Sequence, residues 1–152
     1  MTAFAIPLDE LISHRRPMCF LDRIVSVSDR QAVAETLVAA DNPLFVRGRG
    51  LPAYAGLEMM AQAIAAIDGM KRKLNGLPPK IGFLLGCRRY TVQRPIFEEN
   101  MRLRIFADMV FDDGAMFAFE CRIDDENDVP LAHANMSVFA PADPTAFLDK
   151  VS

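Results

Sequence analysis

The chain has 152 residues, of which 51% are hydrophobic and 24% are charged, a length and composition suited to one domain with its own hydrophobic core. The 17 lysines and arginines and the 20 aspartates and glutamates give a formal net charge of -3, so no excess of positive charge is available to neutralise the phosphates of DNA or RNA. We therefore expect a single domain over residues 1–152, ending in a loose tail from residue 141, and no nucleic-acid partner.

The apolar segments and the cysteines bear on whether the protein spans a membrane and in which cellular compartment it is expected. The longest apolar stretch, residues 53–67, contains Glu58 and Gln62 and is shorter than the roughly 20 residues of a membrane-spanning helix, so no span is predicted. Residues 1–16 contain no basic segment ahead of an apolar run, and we expect no secretory signal and a cytoplasmic location. The cysteines are Cys19, Cys87 and Cys121. Their wide spacing in apolar sequence favours buried, reduced thiols over disulfides or a metal site.

The first part of the chain predicts a short helical turn, two strands and a loop. Residues 8–12 favour a helical turn that ends before Pro17, because the residue before a proline avoids the α conformation. Residues 19–26 and 31–39 are rich in apolar and β-branched residues on either side of a polar turn, which predicts a strand pair. Residues 42–50 mix glycine, proline and arginine without periodicity, which is typical of an irregular loop.

The strongest pattern in the chain is a helix over residues 51–74. Alanine, leucine and methionine dominate this segment, and all of them favour helix. Basic residues at 71–73 suit the negative end of the helix dipole, and Asn75 with Gly76 suits the C-terminal cap. Because apolar residues lie on nearly every face of the first turns, we expect a helix enclosed by the rest of the protein.

Strands are predicted in the second half of the chain over residues 81–92, 101–111, 115–123 and 131–139. Apolar residues alternate along the last two, which predicts that one face of each is buried. The predicted inward-facing residues are Phe117, Phe119, Cys121 and Ile123 on one strand and Ala132, Ala134, Met136 and Val138 on the next. Long antiparallel strands against one buried helix predict an α+β domain with a strongly curved sheet.

Glu58 and Gln62 are polar residues within the apolar helix. Because they are four residues apart, they lie on one helix face, where the amide can orient the carboxyl group. A carboxyl group held out of water is favoured in its protonated form and can donate a proton to a substrate. The alternative is a pair that reaches solvent or bonds to neighbouring backbone, and periodicity does not decide between the two.

His14 and His133 are the only histidines, so any imidazole chemistry uses one of them. His133 lies in the middle of a predicted strand, where a hydrogen-bonded structural role is expected. His14 lies in a polar segment ahead of the first strand, and both catalysis and a role in fixing the loop are open.

Two pairs of arginines are candidates for binding an anionic group. Arg47 and Arg49 lie in the loop before the helix, and Arg88 and Arg89 closely follow Gly86. Guanidinium groups bind phosphates through paired hydrogen bonds, so these residues predict a phosphate-binding surface. Ordinary solvated arginines are the alternative.

Three blocks of sequence occur in a fixed order along the chain. They are residues 11–24 (LISHRRPMCFLDRI), residues 58–63 (EMMAQA), and residues 82–86 (GFLLG) followed by residues 94–96 (RPI). Together they resemble the β-hydroxyacyl-acyl-carrier-protein dehydratases, and the chain as a whole looks closest to the divergent dehydratase-like proteins of aryl-polyene biosynthesis. The resemblance spans residues 8–140 and implies the hotdog fold, in which a curved antiparallel sheet wraps a long central helix.

The resemblance also implies an activity, the dehydration of a 3-hydroxyacyl thioester to a trans-2-enoyl thioester. Glu58 would protonate the departing hydroxyl group. The family's usual histidine, from a loop ahead of the helix, is absent from residues 42–50, and our hypothesis is that His14 replaces it as the base. The residues expected to bind substrate are Gln62, Ala55, Gly56, Gly86, Arg47 and Arg49. Of these, Gln62 would hold Glu58, and unpaired backbone N–H groups at Ala55 and Gly56 would polarise the thioester carbonyl.

Partners follow from the same resemblance. The acyl group would be carried on the phosphopantetheine of an acyl carrier protein or on CoA, with no other cofactor and no metal. The protein would form a homodimer, or a heterodimer with a related hotdog subunit. Two alternatives stay open: a hotdog thioesterase in which Glu58 acts on water, and a non-catalytic acyl-binding subunit that pairs with an active homologue.

Overall fold

A computed structural model describes residues 6–77 and 84–139 of the chain. These residues contain a short 3-10 turn at Leu8–Glu10 and one α-helix, α1, at Ala55–Leu74. The strands are β1 (Arg23–Val27), β2 (Gln31–Leu37), β3 (Leu51–Pro52), β4 (Leu84–Val92), β5 (Ile96–Phe97), β6 (Arg102–Asp112), β7 (Met116–Asp124) and β8 (Pro130–Phe139). No helix in the described ranges has the length and hydropathy needed to cross a membrane.

Six of the strands form one antiparallel sheet in the order β1-β2-β6-β7-β8-β4, and β3 pairs separately with β5. The turn between β1 and β2 is closed at Ser28, whose N–H donates to the Gln31 carbonyl at 2.8 Å. Helix α1 packs against the sheet through β2, β6 and β7. This arrangement confirms the predicted α+β architecture with one long helix against an antiparallel sheet.

The buried face of the sheet is the one that the sequence alternation predicts. Phe119, Cys121 and Ile123 of β7 are buried, and Phe117 is partly buried. The buried positions of β8 include Ala132, Ala134, Met136 and Val138. Burial raises the pKa of the Cys121 thiol to about 12, because the thiolate would be desolvated there.

Two predicted boundaries are wrong. The helix begins at Ala55 instead of residue 51, because Leu51–Pro52 pairs with β5 and the Ala53 N–H donates to the Pro95 carbonyl at 2.8 Å. The short strands β3 and β5 were not expected, since two-residue strands leave no periodic pattern. The first strand begins at Arg23 instead of residue 19, because the Phe20 N–H bonds to the Gln62 side chain of the helix, and pairing with β2 starts only at the Asp22 N–H, which donates to the Glu35 carbonyl.

Residues 11–22 cross α1 on the side opposite the sheet. Leu11 and Ile12 are each 1% exposed, and the backbone of Leu11 lies directly over Gly69 of the helix. A Cβ atom on Gly69 would overlap the Leu11 carbonyl group. The missing side chain at this position therefore allows the two backbones to approach closely, and α1 is enclosed as predicted.

Cys19 and Cys121 are buried free thiols, whereas Cys87 is exposed. The prediction of three buried thiols is therefore wrong for Cys87, which lies on β4 at the edge of the sheet, where a strand has a neighbour on one side only. Residues 81–83 of the predicted strand and the predicted tail from residue 141 lie outside the described residues.

Candidate active site

Glu58 lies in the first turn of α1, on the side that faces residues 11–22. At this end of a helix, backbone N–H groups and the helix dipole favour a negative charge. The Glu58 side chain is 43% exposed, so it is not held out of water in this chain as the sequence led us to expect. The buried position is taken by Gln62, one turn further along, which is 0% exposed.

Gln62 uses its whole amide group in hydrogen bonds. Its Oε1 accepts from the Phe20 N–H at 2.8 Å, and its Nε2 donates to the Met18 carbonyl at 2.9 Å and to Glu58 Oε1 at 2.9 Å. The Phe20 N–H can bond only to an acceptor, so it fixes which end of the amide is the oxygen. Gln62 thereby connects the segment that carries His14 to the carboxyl group of Glu58.

The side chain of His14 lies beside this carboxyl group. Its Nε2 is 3.6 Å from Glu58 Oε1, and the His14 side chain is 35% exposed. The other ring nitrogen, Nδ1, is buried and has no hydrogen-bond partner among the described residues. The distance between Nε2 and Oε1 is too long for a direct hydrogen bond, so both groups can bind the same small ligand.

Arginines hold the His14 segment in place, a role that the sequence reasoning missed. Arg15 donates to the carbonyl oxygens of Asp9, Ile12 and His14, and Arg16 donates to those of Cys19 and Leu21 and to the carboxylate of Asp22. Asp22 also accepts from the Leu37 N–H of β2 at 2.7 Å. These charged residues belong to the sequence block over residues 11–24. The arginines bond to the backbone of the segment, and Asp22 connects Arg16 to β2.

At the start of α1 the structure changes the predicted set of backbone donors. The Gly56 N–H donates to the Ala53 carbonyl at 2.9 Å, so the prediction of an unpaired donor at Gly56 is wrong. Tyr90 of β4 also donates its hydroxyl hydrogen to the Ala53 carbonyl. Ala55 is fully buried, and no described residue accepts a hydrogen bond from its N–H.

The contact between Tyr90 and the helix start left no signal in the sequence. Burial raises the pKa of Tyr90 to about 12, with the nearby Cys87 as a smaller cause, so the hydroxyl group stays protonated and remains a donor at neutral pH. A Cβ atom on Gly56 would meet this hydroxyl group. Gly56 and Tyr90 therefore fit together where β4 passes the first turn of α1.

The other predicted site residues are exposed. Arg47 and Arg49 lie in the turn before β3, and Gly86 is exposed on β4, opposite Ser137 of β8. Within the described ranges, none of the three forms a hydrogen bond or ion pair with Glu58, His14 or Gln62. The structure therefore does not bring them together with the carboxyl group.

His133 and the arginines of β4 lie on the outer face of the sheet. His133 is exposed and pairs with Thr91 and Arg122 in the strand register, and within the described residues only its backbone carbonyl accepts a side-chain hydrogen bond, so the expected hydrogen-bonded role of its ring is not found there. Arg88 and Arg89 occupy a bulge in β4, which places two exposed arginines side by side along an open groove of the outer face.

An apolar pocket lies on the sheet side of α1, beneath the second half of the helix. Its apolar lining residues are Ile64, Ile67, Met109, Phe117, Phe119 and Val138. Glu58, His14 and Gln62 do not line it. The expected acyl channel at Glu58 is therefore not this pocket.

Comparisons with known proteins agree with the resemblance. The family model of the ApeP-like dehydratases matches residues 6–149. A curated relative, the 3-hydroxyacyl-[acyl-carrier-protein] dehydratase FabZ of Anaeromyxobacter dehalogenans (strain 2CP-C), is 29% identical over 118 residues, which are 74% of this chain and 74% of that protein.

Solved structures agree as well. A chain of the dehydratase heterocomplex ApeI:P from Xenorhabdus doucetiae superposes with a TM-score of 0.85 at 26% identity, over 97% of this chain and 98% of that chain. The PaaI protein of Escherichia coli superposes with a TM-score of 0.61 at 15% identity, over 77% and 81% of the two chains, a likeness of fold alone. Nearly the whole length of the chain matches one family in both sequence and structure, and it belongs to the ApeP-like dehydratases of the hotdog fold.

Proposed function

We propose that this chain removes water from a 3-hydroxyacyl thioester and releases a trans-2-enoyl thioester. The observation that carries the proposal is the approach of His14 Nε2 to within 3.6 Å of Glu58 Oε1, with both side chains partly exposed. Two groups able to exchange protons or donate hydrogen bonds thus meet at a surface that a substrate can reach. The named activity of the FabZ relative, a 3-hydroxyacyl-[acyl-carrier-protein] dehydratase, supports the substrate class.

Elimination of water requires a proton to leave the α-carbon and a proton to reach the β-hydroxyl group. Glu58 and His14 are the groups that we assign to this chemistry. Gln62 acts as a positioning residue, because its single buried amide holds both the carboxyl group and the backbone of residues 18–20. Glu58 lies on α1, and the segment that carries His14 is bonded to α1 through Gln62, so the two groups are held 3.6 Å apart, close enough to act on the adjacent α- and β-carbons of one acyl chain.

The thioester and its carrier require further groups. The unpaired N–H of Ala55, at the positive end of α1, is the backbone donor that we assign to the thioester carbonyl, and a buried N–H of this kind needs an acceptor. Arg47 and Arg49, with Gly86 and the bulged arginines of β4, are exposed and available to the phosphate of phosphopantetheine or CoA. We place an acyl carrier protein first among these carriers, following the named activity of FabZ.

A second hotdog subunit is the partner that we propose. The site is partly open in this chain, and two residues adjoining it are exposed: Met18, whose carbonyl bonds to Gln62, and Tyr54, at the start of α1, are 58% and 60% exposed. Exposed apolar surface that forms a patch is a mark of protein–protein interaction sites. The relative from Xenorhabdus doucetiae is part of a dehydratase heterocomplex, ApeI:P, which supports a second subunit as partner. The role in aryl-polyene biosynthesis that we propose for this chain rests on the sequence resemblance.

The test measures hydration of an enoyl thioester, the reverse reaction, with the purified protein alone and with a related hotdog subunit present. We expect Glu58→Gln to lower the rate at least about 100-fold, because removal of a positioned acid or base typically costs that much. Glu126→Gln is the matched control, since Glu126 is exposed in the turn before β8, and it should keep the full rate.

Other outcomes assign other functions. Release of free thiol that depends on Glu58 would replace dehydration by thioester hydrolysis. An unmodified protein that neither hydrates nor hydrolyses thioesters, alone or with its partner, would contradict the proposal and leave acyl binding as the function. Hydration that survives Glu58→Gln unchanged would remove Glu58 from the active site.

A further inference from the structure

We infer that Glu58 carries out both proton transfers of the proposed dehydration, through Oε2, and that His14 acts as a hydrogen-bond donor through Nε2 and not as the base. The inference rests on the proposed function and divides the work between the two groups. It differs from the expectation drawn from the sequence, in which His14 takes the α-proton and Glu58 only protonates the hydroxyl group.

The first step concerns the proton of His14. A neutral imidazole carries one proton, on either Nδ1 or Nε2. Nδ1 is buried and has no acceptor within the described residues, so a proton there would be a buried donor without a partner, which is costly. A nitrogen lone pair without a partner at the same position costs less free energy than an unpaired N–H group. The favoured tautomer therefore has its proton on Nε2, the nitrogen that faces the site.

This tautomer excludes His14 as the α-base. A base accepts a proton through a nitrogen lone pair, and in this tautomer the only lone pair lies on the enclosed Nδ1. The exposed Nε2 offers an N–H group instead. Because Nε2 is 3.6 Å from Glu58 Oε1, its hydrogen is not committed to a direct hydrogen bond and can bind a substrate oxygen.

The second step concerns the oxygens of Glu58. Oε1 accepts the hydrogen bond of Gln62 at 2.9 Å and faces His14. The Gln62 amide cannot turn over to offer its oxygen instead, because that oxygen is bound to the Phe20 N–H. Oε1 is thus the oxygen that already accepts a hydrogen bond from a neighbouring donor. Oε2 has no hydrogen-bond partner among the described residues and is the oxygen that can gain and lose a proton.

These constraints give one balanced sequence of events. Glu58 Oε2, as carboxylate, takes the α-proton, and the electrons of the C–H bond form the C=C bond. The bond between the β-carbon and oxygen breaks, and its electrons go to the departing oxygen, which receives a hydrogen bond from His14 Nε2. Glu58 then gives the same proton to that oxygen, water leaves, and the carboxylate is restored. His14 keeps its proton throughout.

Replacement of His14 by residues with an amide side chain distinguishes a role as hydrogen-bond donor from a role as base. The amide nitrogen of glutamine can take the place of Nε2, whereas that of asparagine takes the place of Nδ1, and neither side chain is a base. We expect His14→Gln to keep hydration within about 10-fold of the unmodified protein. His14→Ala and His14→Asn should both lose about 100-fold, the usual effect of removing one positioned donor. The assays use the preparation, alone or with the partner subunit, in which the unmodified protein is active.

Equal losses in all three variants would show that His14 is the base and would overturn the inference. In that case the proposed dehydration would still stand, provided that Glu58→Gln abolished it. If circular dichroism shows that His14→Gln is unfolded, rescue of His14→Ala by small molecules decides. Pyrazole carries an N–H group but is a far weaker base than imidazole, and we expect both to restore hydration. Rescue by imidazole alone, or by neither compound, would overturn the inference.

Discussion

The two sides of helix α1 are held by different kinds of interaction. On the sheet side, Ile64 and Ile67 face the apolar side chains of β6, β7 and β8. On the opposite side, Gln62 bonds to the backbone of residues 18–20, and Gly69 lies against the backbone of Leu11. The sheet side is therefore stabilised by burial of apolar area, and the other side by close backbone approach and specific hydrogen bonds.

This difference explains where the candidate chemistry lies. An apolar interface tolerates changes of side chain when volume and pattern are kept. A buried amide with all its groups bonded fixes directions as well as distances. Glu58 and His14 both adjoin the polar side of the helix, where their positions depend on few contacts. Substitutions on the two sides of the helix should therefore differ in their cost to stability and activity.

Gly69→Ala should produce the largest loss of stability. At a solvent-exposed position within a helix, replacement of glycine by alanine would stabilise the protein by about 1 kcal/mol. Here the added Cβ would overlap the Leu11 carbonyl, which is backbone and cannot rotate away. We expect the free energy of unfolding to fall by more than about 3 kcal/mol, measured by urea denaturation. Hydration activity should fall as well, because the displaced segment carries His14.

The matched change on the sheet side is Gly56→Ala. The added Cβ would there meet the ends of two side chains, Tyr90 and Ile123, which can shift. We expect a loss of only about 1–2 kcal/mol. Equal losses at Gly69 and Gly56, or a gain at Gly69, would contradict the distinction between a backbone contact and a side-chain contact.

Gln62→Met removes the hydrogen bonds of the polar side while nearly keeping the volume. The Phe20 N–H and the Met18 carbonyl lose their partner, and each unpaired buried group costs about 1–3 kcal/mol. We expect the free energy of unfolding to fall by about 2–4 kcal/mol. We also expect a lower kcat for hydration when it is measured under conditions in which the variant is folded, so the loss of activity is larger than the loss of stability explains.

Gln31→Met is the control for this change. The Gln31 side chain is exposed and bonds to Asp108 at 2.6 Å across the outer edge of the β2–β6 pair. Because water can replace this bond, the substitution should change stability by less than about 0.5 kcal/mol. A Gln62→Met protein as stable and active as Gln31→Met would show that the amide positions nothing.

The same contrast separates what could be predicted from the sequence from what could not. Periodicity identified the helix, the paired strands and their buried faces, because apolar burial repeats along each element. The polar interruptions of the apolar helix singled out Glu58 and Gln62, the presence of only two histidines singled out His14, and the three-block resemblance predicted one site for them. Their mutual geometry was beyond reach, because a bond such as that between Gln62 and Phe20 joins residues 42 positions apart and leaves no periodic trace.

The predicted start of the helix was wrong for a related reason. Residues 51–53 have a composition that favours helix, yet their backbone groups bond to β5 and Pro95, so long-range pairing overrides local propensity. The exposure of Cys87 and the pairing of the Gly56 N–H are further cases. Whether Cys87 is buried, and whether the Gly56 N–H has an acceptor, depends on which residues lie next to them in the folded chain. What the sequence lacked was the identity of the partner in each contact.

Among the changes to residues that contact α1, Tyr90→Phe should have the smallest effect, and it tests the hydrogen bond between β4 and the start of the helix. Loss of the hydrogen bond to the Ala53 carbonyl should cost about 1 kcal/mol at neutral pH. The pKa of Tyr90 is raised from 10.0 to about 12 in the folded protein. A group whose pKa is raised by folding contributes stability at a pH below its pKa in the unfolded chain. This contribution is lost as the pH rises from 10 to 12.

The Tyr90→Phe protein should therefore lose less stability than the unmodified protein over that alkaline range, and the two unfolding free energies should converge. Cys121, whose pKa is also raised to about 12, is present in both proteins and contributes a decline common to them. Parallel curves for the two proteins between pH 10 and 12 would mean that the Tyr90 hydroxyl titrates alike in the folded and unfolded chains. Burial beside the first turn of α1 would then not favour the neutral hydroxyl group, which would contradict the raised pKa of Tyr90.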